Sequence, residues 1–370
     1  MAGCKIGTTP PLRLPLDKFS FAGGWDCFLK INSANMLKCN TPRKDAAIKK
    51  IQNAGNLKRL RRTVSSHNQR MVVPTNSVPK TDSNIRRVQP ETPMRDLMDG
   101  CSRWEIPVHQ HGFIALVDVM PRLAPVGQTA DAAIVQAARV SYGDGTKQVS
   151  EDRTLVRYLL RHRHTTPLEM VEFKFHVAMP MFVARQWIRH RTANVNEYSA
   201  RYSIVPDRFY RPSLDNVRKQ SSVNRQGGDE PIDAGTAESF LGLLERAEAN
   251  YQEYLQLTEK GVARELARAA LPVSVYTEWY WKCDLHNTLR FLSLRMDSHA
   301  QQEIQDYARG MFDLIKPLVP NSCEAFMDYE MEAMHLTRLE IESIQNGAPI
   351  NTTNKREQAE FEAKKKRLGL

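Results

Sequence analysis

The sequence contains no apolar run near the roughly eighteen residues needed to cross a bilayer, which excludes a membrane-spanning helix. Its first thirty residues hold charges and prolines and no uninterrupted apolar stretch, so they do not form a secretory signal. The cysteines are Cys4, Cys27, Cys39, Cys101, Cys283 and Cys323, and no two of them have the two-residue spacing of a zinc or redox motif. Without an export signal they read as reduced thiols of an intracellular protein. No glycine-rich turn joins a strand to a helix, which argues against a Rossmann or P-loop phosphate cradle. An apolar fraction of 41% is low for a wholly globular chain and points to a folded part smaller than the whole. No internal repeat is visible.

Charge is unevenly spread. Residues 1–100 hold 18 Lys+Arg against 7 Asp+Glu, while the other 270 hold 34 against 35. The net charge of +10 therefore belongs to the leader, and the body is balanced. A nucleic-acid-binding domain would carry its basic patch on the folded element that meets the polyanion, so that class is disfavoured. Residues 1–105 show no sustained period and read as a disordered extension with a short basic helix near 44–62. A targeting leader or a polyanion-binding arm are its functional readings; an extension outside the chemistry is preferred.

Order is expected from about Trp104. Phe113, Ala115, Val117 and Val119 alternate as in a strand that Pro121 stops. Ala130 to Val140 reads as a helix closed by Ser141–Gly145. A second, capped by Ser150, runs to about Arg163. Val171, Phe173, Phe175 and Val177 form one face of a strand whose other face is Glu172, Lys174 and His176. Pro180 can start a helix that continues from Met181 to Arg191. Residues 211–235 form a long polar loop. The last third reads as helical, with stripes at Phe240, Leu244, Ala247, Tyr251 and Tyr254, at Trp281, Leu285, Leu289 and Leu292, and at Ile304, Tyr307, Met311, Leu314 and Ile315. The tail from 346 looks frayed. The fold class is α+β: one mixed or antiparallel sheet packed with several helices. The boundaries are an extension over 1–105, a catalytic domain over 106–345 and a charged tail over 346–370.

The densest set of functional groups runs from Arg185 to Tyr202. On a helix Arg185 and Arg189 lie one turn apart, and Ser199 and Arg201 share a face if the following segment is extended. Guanidinium forks with a carboxylate, a hydroxyl and two amides suit a phosphorylated, hydrogen-bonding ligand. A solvated basic helix face is the bland alternative, and RNA binding by the same arginines is a third. His162 and His164 lack a third ligand at zinc spacing; two basic residues closing a helix is their bland reading, preferred for His162.

Arg189-His190-Arg191, seven residues and then Ser199 resembles the RHR-x7-S signature of flavin-dependent thymidylate synthases. The resemblance spreads over residues of roughly 105–345 in ordered blocks: Ala137–Ser141, His164–Glu169, Phe182–Trp187 with the signature, Arg264–Arg268 and Phe291–Gln301. Asn194 stands where the family often has serine, and Asp284 and Arg290 where relatives carry amides. The resemblance implies reductive methylation of dUMP to dTMP with 5,10-methylenetetrahydrofolate, FAD and NADPH. It implies a dUMP site of Gln186, Trp187, Ile188, Arg189, Glu197, Tyr198, Ser199, Ala200, Arg201, Arg268 and Arg295. It implies an FAD site of Thr166, Arg189, His190, Arg191, Glu197, Asp284, Leu285, His286 and Arg290, with His164 and Glu169 lining the flavin and folate pocket. Arg295 is the catalytic candidate, facing the uracil ring to stabilise its ionised form. His286 and Arg290 are one helical turn apart and can face one ligand. A homotetramer with shared active sites is also implied, with no metal, no membrane and no specific nucleic acid. The expected compartment is cytoplasmic, or organellar if the basic extension is a transit peptide.

Overall fold

Five strands build the sheet on which the site rests, with alternating burial clearest in its two central strands, Glu172–Pro180 and Tyr276–Asp284. The computed structural model describes residues 92–141, 151–221 and 227–370, all within one unit, Val88–Leu370. In chain order β1 (Met94–Asp96), β2 (Trp104–Val108), β3 (Gly112–Met120) and β4 (Leu123–Pro125) precede α1 (Asp131–Val140) and α2 (Asp152–Arg161). Next come β5 (Glu172–Pro180), α3 (Met181–Trp187), β6 (Asn194–Glu197) and the hairpin strands β7 (Arg218–Gln220) and β8 (Gly228–Pro231). α4 (Ala234–Glu259) and α5 (Arg264–Ala267) lead to β9 (Tyr276–Asp284). α6 (Leu285–Arg295), α7 (Gln302–Ile315), α8 (Pro320–Phe326), α9 (Arg338–Asn346) and α10 (Lys355–Leu368) complete the chain. The large sheet has the order β2-β3-β5-β9-β6 with every neighbour antiparallel, so the α+β class holds.

The period-2 pattern of β5 sets its burial: Phe173, Phe175 and Val177 turn into the core while Lys174 faces out. β9 was read as helical, yet Tyr276–Asp284 is a central strand, and Trp281 belongs to it rather than to a helical stripe. Its alternation of Trp279, Trp281 and Cys283 (buried) with Tyr280 and Lys282 carries the strand signal, and aromatic side chains suit a pleated surface. In β3 Ile114, Ala115, Leu116 and Val119 are buried while Phe113 and Val117 are only half-buried, and a register shift between Leu116 and Asp118 lets Val119 join the face of Ile114 and Leu116.

Several boundaries differ from expectation. β1 pairs with β4, and Leu97 and Met98 are buried, so the fold begins before residue 105 and the expected edge cuts β2. α2 is flanked by Glu151 as its N-cap and stops at Arg161, because Arg163 takes a left-handed φ of 58°. Ser150, the segment 142–145 and the basic stretch 44–62 lie outside the described residues. The tail is not frayed: α10 buries Phe361, and Lys364 donates to the buried Glu340 carboxylate at 2.9 and 3.0 Å. The 211–235 loop contains the β7–β8 hairpin. In α4 the apolar stripe is buried only toward its end, where Tyr251 donates to the Val205 carbonyl at 2.7 Å and the Tyr254 hydroxyl accepts from its N–H at 3.1 Å.

The core under the site is aromatic. Trp187, Trp281, Phe291 and Tyr307 are buried, and the Trp187 ring lies 4.6 Å from Phe291 and 5.7 Å from Trp281. Each such side chain contributes roughly 1.5–3 kcal/mol from removal of apolar surface from water. The chain neighbours of Trp187 and Phe291 are Ile188, Arg189 and Arg290, so this packing fixes where those groups emerge.

Candidate functional site

α3 ends at Trp187, four residues before the expected Arg191, because burial of the indole turns the chain. The Ile188 N–H still donates to Ala184 at 2.9 Å, and His190 N–H then closes a turn on Trp187 at 3.0 Å. Arg189 thus stands past the helix, so its proximity to Arg185 comes from a turn rather than from a shared helical face. The chain next enters β6, which pairs with β9 through Asn194↔Lys282 and Glu197↔Trp279. That pairing puts Glu197 beside Thr277, whose hydroxyl donates to the carboxylate at 2.6 Å. After Tyr198, expected extended, the chain turns instead: the Ser199 carbonyl accepts from the N–H groups of Tyr202 at 3.1 Å and Ser203 at 3.2 Å. Ser199 and Arg201 therefore do not share the face of a strand.

From the other side comes α6. The Asp284 carboxylate caps it, accepting from the backbone N–H of Asn287 at 2.8 Å and from its side-chain amide at 2.8 Å. Both carboxylate oxygens are thereby engaged, which gives Asp284 a helix-orienting role in this structure. Leu285, Leu289, Phe291 and Leu292 face the core, and His286 is half-buried and Arg290 exposed. Arg295 sits in the last turn, where a cation suits the helix dipole. Its Nε donates to His190 Nε2 at 3.1 Å and its Nη2 to the Gln186 carbonyl at 3.2 Å. The Gln186 amide in turn donates to the side chain of Gln301.

These contacts frame two cavities with a common wall. A cleft of about 550 Å³ is lined by Arg185, Gln186, Arg189 and Arg295. A neighbouring one of about 250 Å³ is lined by Arg189, His190, Arg191, Thr192, Trp281, Cys283, Asn287, Arg290, Leu294 and Arg295. Neither has a carboxylate in its lining, and Arg189 and Arg295 belong to both. Burial and the Arg189 charge hold the Arg295 guanidinium below its ordinary pKa, though an arginine stays protonated under any working condition. Burial, with Arg295 and Arg290 beside it, pushes His190 down to about 4. A third hollow of about 210 Å³ gathers His286, Arg290, Arg163 and Thr165 over Leu159, Leu168 and Phe326; Thr166 is next in sequence but not in its lining.

The structure thus brings Gln186, Arg189 and Arg295 together, with His190, Arg191 and Arg290 next to them. Ser199, Ala200, Arg201, Glu197 and Arg268 line none of these three cavities. Arg268 Nε bonds its own turn, to the Glu265 carbonyl at 3.3 Å, and Arg201 lies over the Tyr202 ring at 5.6 Å. Tyr198 donates its hydroxyl to the Ile204 carbonyl at 2.7 Å, while Ile188 is exposed beside the cleft residues. Trp187 and Leu285 are fully buried, which withholds their side chains from a ligand at the surface. His162 and His164 follow the end of α2 and pack on Tyr158, with ring centroids 4.4 and 5.7 Å away, and neither lines these three cavities. Arg185, singled out by its chemistry but absent from the dUMP and FAD sets that the resemblance implied, lines the cleft. Sequence reasoning missed Gln301 as the partner of Gln186 and Thr277 as the partner of Glu197. The alternation of β9 was the available signal for Thr277.

An antiparallel sheet backed by helices thus carries adjoining clefts whose guanidinium groups form no ion pair among the described residues, a donor set that suits phosphorylated ligands. The family described as "Thymidylate synthase complementing protein" matches residues 122–321. The flavin-dependent thymidylate synthase of Dictyostelium discoideum is 65% identical over 284 residues, covering 77% of this chain and 94% of that protein. That of Wolbachia pipientis wMel is 52% identical over 238 residues, covering 64% and 81%. Among solved structures, a UMP/dUMP methylase PolB from Streptomyces cacaoi bound with 5-Br dUMP superposes with a TM-score of 0.52 at 33% identity, covering 61% of this chain and 98% of that one. The chain belongs to the flavin-dependent thymidylate synthase family.

Proposed function

We propose that the chain reductively methylates dUMP to dTMP, with 5,10-methylenetetrahydrofolate as one-carbon donor and NADPH-reduced FAD as the source of hydride. The observation that carries this reading is the pair of carboxylate-free clefts sharing Arg189 and Arg295 in a chain of this family. Among the described residues none of Arg185, Arg189, Arg191, Arg290 and Arg295 forms an ion pair, so an anionic ligand supplies the missing counter-charge.

In this reading Gln186, Arg189 and Arg295 hold the nucleotide, with Ile188, Glu197, Tyr198, Ser199, Ala200, Arg201 and Arg268 completing its site. Arg189, His190, Arg191, His286 and Arg290 hold FAD, together with Thr166 and the Glu197 carboxylate. The unpaired guanidinium groups fit a pyrophosphate-bearing cofactor. When bound, FAD supplies the hydride that reduces the one-carbon unit. The protein has to make uracil C5 nucleophilic, and Arg295 does so by stabilising negative charge that develops on the ring. A thiolate adding to C6 is not available from Cys283: it is buried, its thiol donates to the Thr192 carbonyl at 3.1 Å, and burial raises its pKa to about 12. Cys323 is buried and shifted further in the same direction.

The separation of Ser199, Arg201 and Arg268 from the cleft within one chain favours active sites completed by neighbouring copies, as in a homotetramer. No helix among the described residues is long and apolar enough to cross a membrane. In this reading the enzyme works in the cytoplasm, or in an organelle if the basic extension is a transit peptide, and the extension takes no part in the chemistry. The test is spectroscopic. The purified protein should show a flavin absorbance that NADPH bleaches and that returns, with formation of dTMP, on adding dUMP and methylenetetrahydrofolate. A colourless protein, or reoxidation without dTMP, overturns the reading.

A further inference from the structure

We propose that His190 positions Arg295, its ring Nε2 accepting the Nε–H so that, together with the Gln186 carbonyl, it fixes the plane of the guanidinium in the nucleotide cleft. The two contacts, 3.1 Å from Nε and 3.2 Å from Nη2, come from groups on one turn of chain and leave the remaining N–H groups of the guanidinium for a ligand. His190 is itself held. Its backbone N–H donates to Trp187 at 3.0 Å, and its ring meets the Phe291 ring edge-on at 4.9 Å between centroids. The aromatic core therefore sets the imidazole, and the imidazole sets the arginine.

A histidine accepts a hydrogen bond only when neutral. The charges that act on the ring are Arg295 and Arg290 on α6; the cavity it helps to line also holds Arg189 and Arg191 from its own segment and Cys283 from β9, with no carboxylate in that lining. Burial of the ring, helped by the charges of Arg295 and Arg290, opposes protonation and holds it neutral down to about pH 4. Acceptance at Nε2 assigns the ring proton to Nδ1, which leaves one donor directed away from Arg295. A carboxylate in this place would hold the arginine more tightly but would cancel the charge that an ionised pyrimidine ring needs. The neutral acceptor orients the guanidinium and leaves its charge intact.

The inference rests on the reading above that Arg295 faces the uracil, so the experiment carries Arg295→Ala alongside. His190→Phe keeps the ring packing and removes the acceptor; His190→Gln restores an acceptor near Nε2. Each full-length flavoprotein is measured for dUMP dissociation constant by calorimetry, single-turnover methylation rate and flavin content. The Phe variant should lose about 10- to 100-fold in methylation rate, the range expected for a hydrogen bond to a charged group, and bind dUMP more weakly. The Gln variant should recover most of both. In the wild type, dUMP affinity corrected for protonation of the nucleotide's own phosphate at about pH 6 should hold down to about pH 5 and fall as the pH approaches 4. A Phe variant with wild-type rate and dUMP affinity beside a slow Arg295→Ala overturns the positioning role alone. So does a Phe variant that loses flavin yet keeps its dUMP affinity, or a Gln variant no better than Phe at full flavin content. A silent Arg295→Ala overturns the reading of the cleft and this inference with it.

Discussion

Two groups of arginines in this chain show how differently one side chain can be used. On α2, Arg157 meets Asp328 at 2.6 Å, Glu324 at 3.1 Å and the Tyr329 hydroxyl at 2.9 Å, and its guanidinium lies 4.9 Å from the Tyr329 ring centre. Arg153 bonds Glu324 through Nε at 3.0 Å. Hydrogen bonds to these carboxylates raise the pKa of both arginines. At the cleft, Arg295 is shifted the opposite way by burial and by Arg189, and its protein contacts are neutral acceptors. The first group is complete without a ligand and joins α2 to α8. The second concentrates like charge in a partly buried place, an arrangement that costs stability until an anion arrives. What distinguishes them is the set of neighbours, not the residue.

That contrast can be broken most sharply at Arg295. A guanidinium about 4 Å from an ionised ring contributes on the order of 4 kcal/mol at an effective dielectric near 20. Part of this also supports the neutral ring, so Arg295→Ala should cost about 2–4 kcal/mol, a roughly 30- to 1000-fold fall in methylation rate. Lysine should rescue only in part, since it keeps the charge and loses the planar fork. Single-turnover reoxidation with dUMP and methylenetetrahydrofolate measures the rate. A near wild-type rate in the alanine variant would mean that the unpaired cluster is not the activating group.

The satisfied part of the molecule is tested next. A chain starting at Cys101 loses β1 together with Leu97 and Met98, which are 4% and 0% exposed. Removal of such side chains costs about 2–5 kcal/mol each, so this truncation should melt well below the full chain. A chain starting at Val88, the edge of the compact unit, should melt with it and keep its turnover. Equal melting of all three would show that β1 is an ornament on the fold.

The smallest effect is expected at Arg157. Its partners are water-exposed enough for screening to weaken the pair, so Arg157→Met should shift the melting temperature by no more than a few degrees and leave dUMP affinity and turnover unchanged. Loss of activity there would erase the division between the two groups of arginines.

Much of the fold was legible where one face of an element is buried and the other wet. β5 and α7 follow their 2.0 and 3.6 periods closely, and the outline of α1 was readable to within a residue. β9 was misread because its apolar positions continue into α6 without a glycine or proline between them. Asp284 is the hinge: as an N-cap it ends the strand and starts the helix at one residue, a signal that lies in a single side chain. The early end of α3 was hidden for a related reason, since what stops the helix is the burial of Trp187 against Trp281 and Phe291, residues about a hundred positions away.

The amino-acid residues alone set the chemical inventory: a run of arginines, amides and a carboxylate suited to a phosphorylated ligand, and a body of balanced charge. They also set most local elements, because periodic burial is written into neighbouring residues. Packing between distant segments settles which arginines are neutralised and which are left for a ligand. It also decides that Trp187 and Leu285 face inward, that Asp284 caps a helix, and that His190 meets Arg295. Pairing and burial depend on distances between segments far apart in the chain, and no local pattern encodes them.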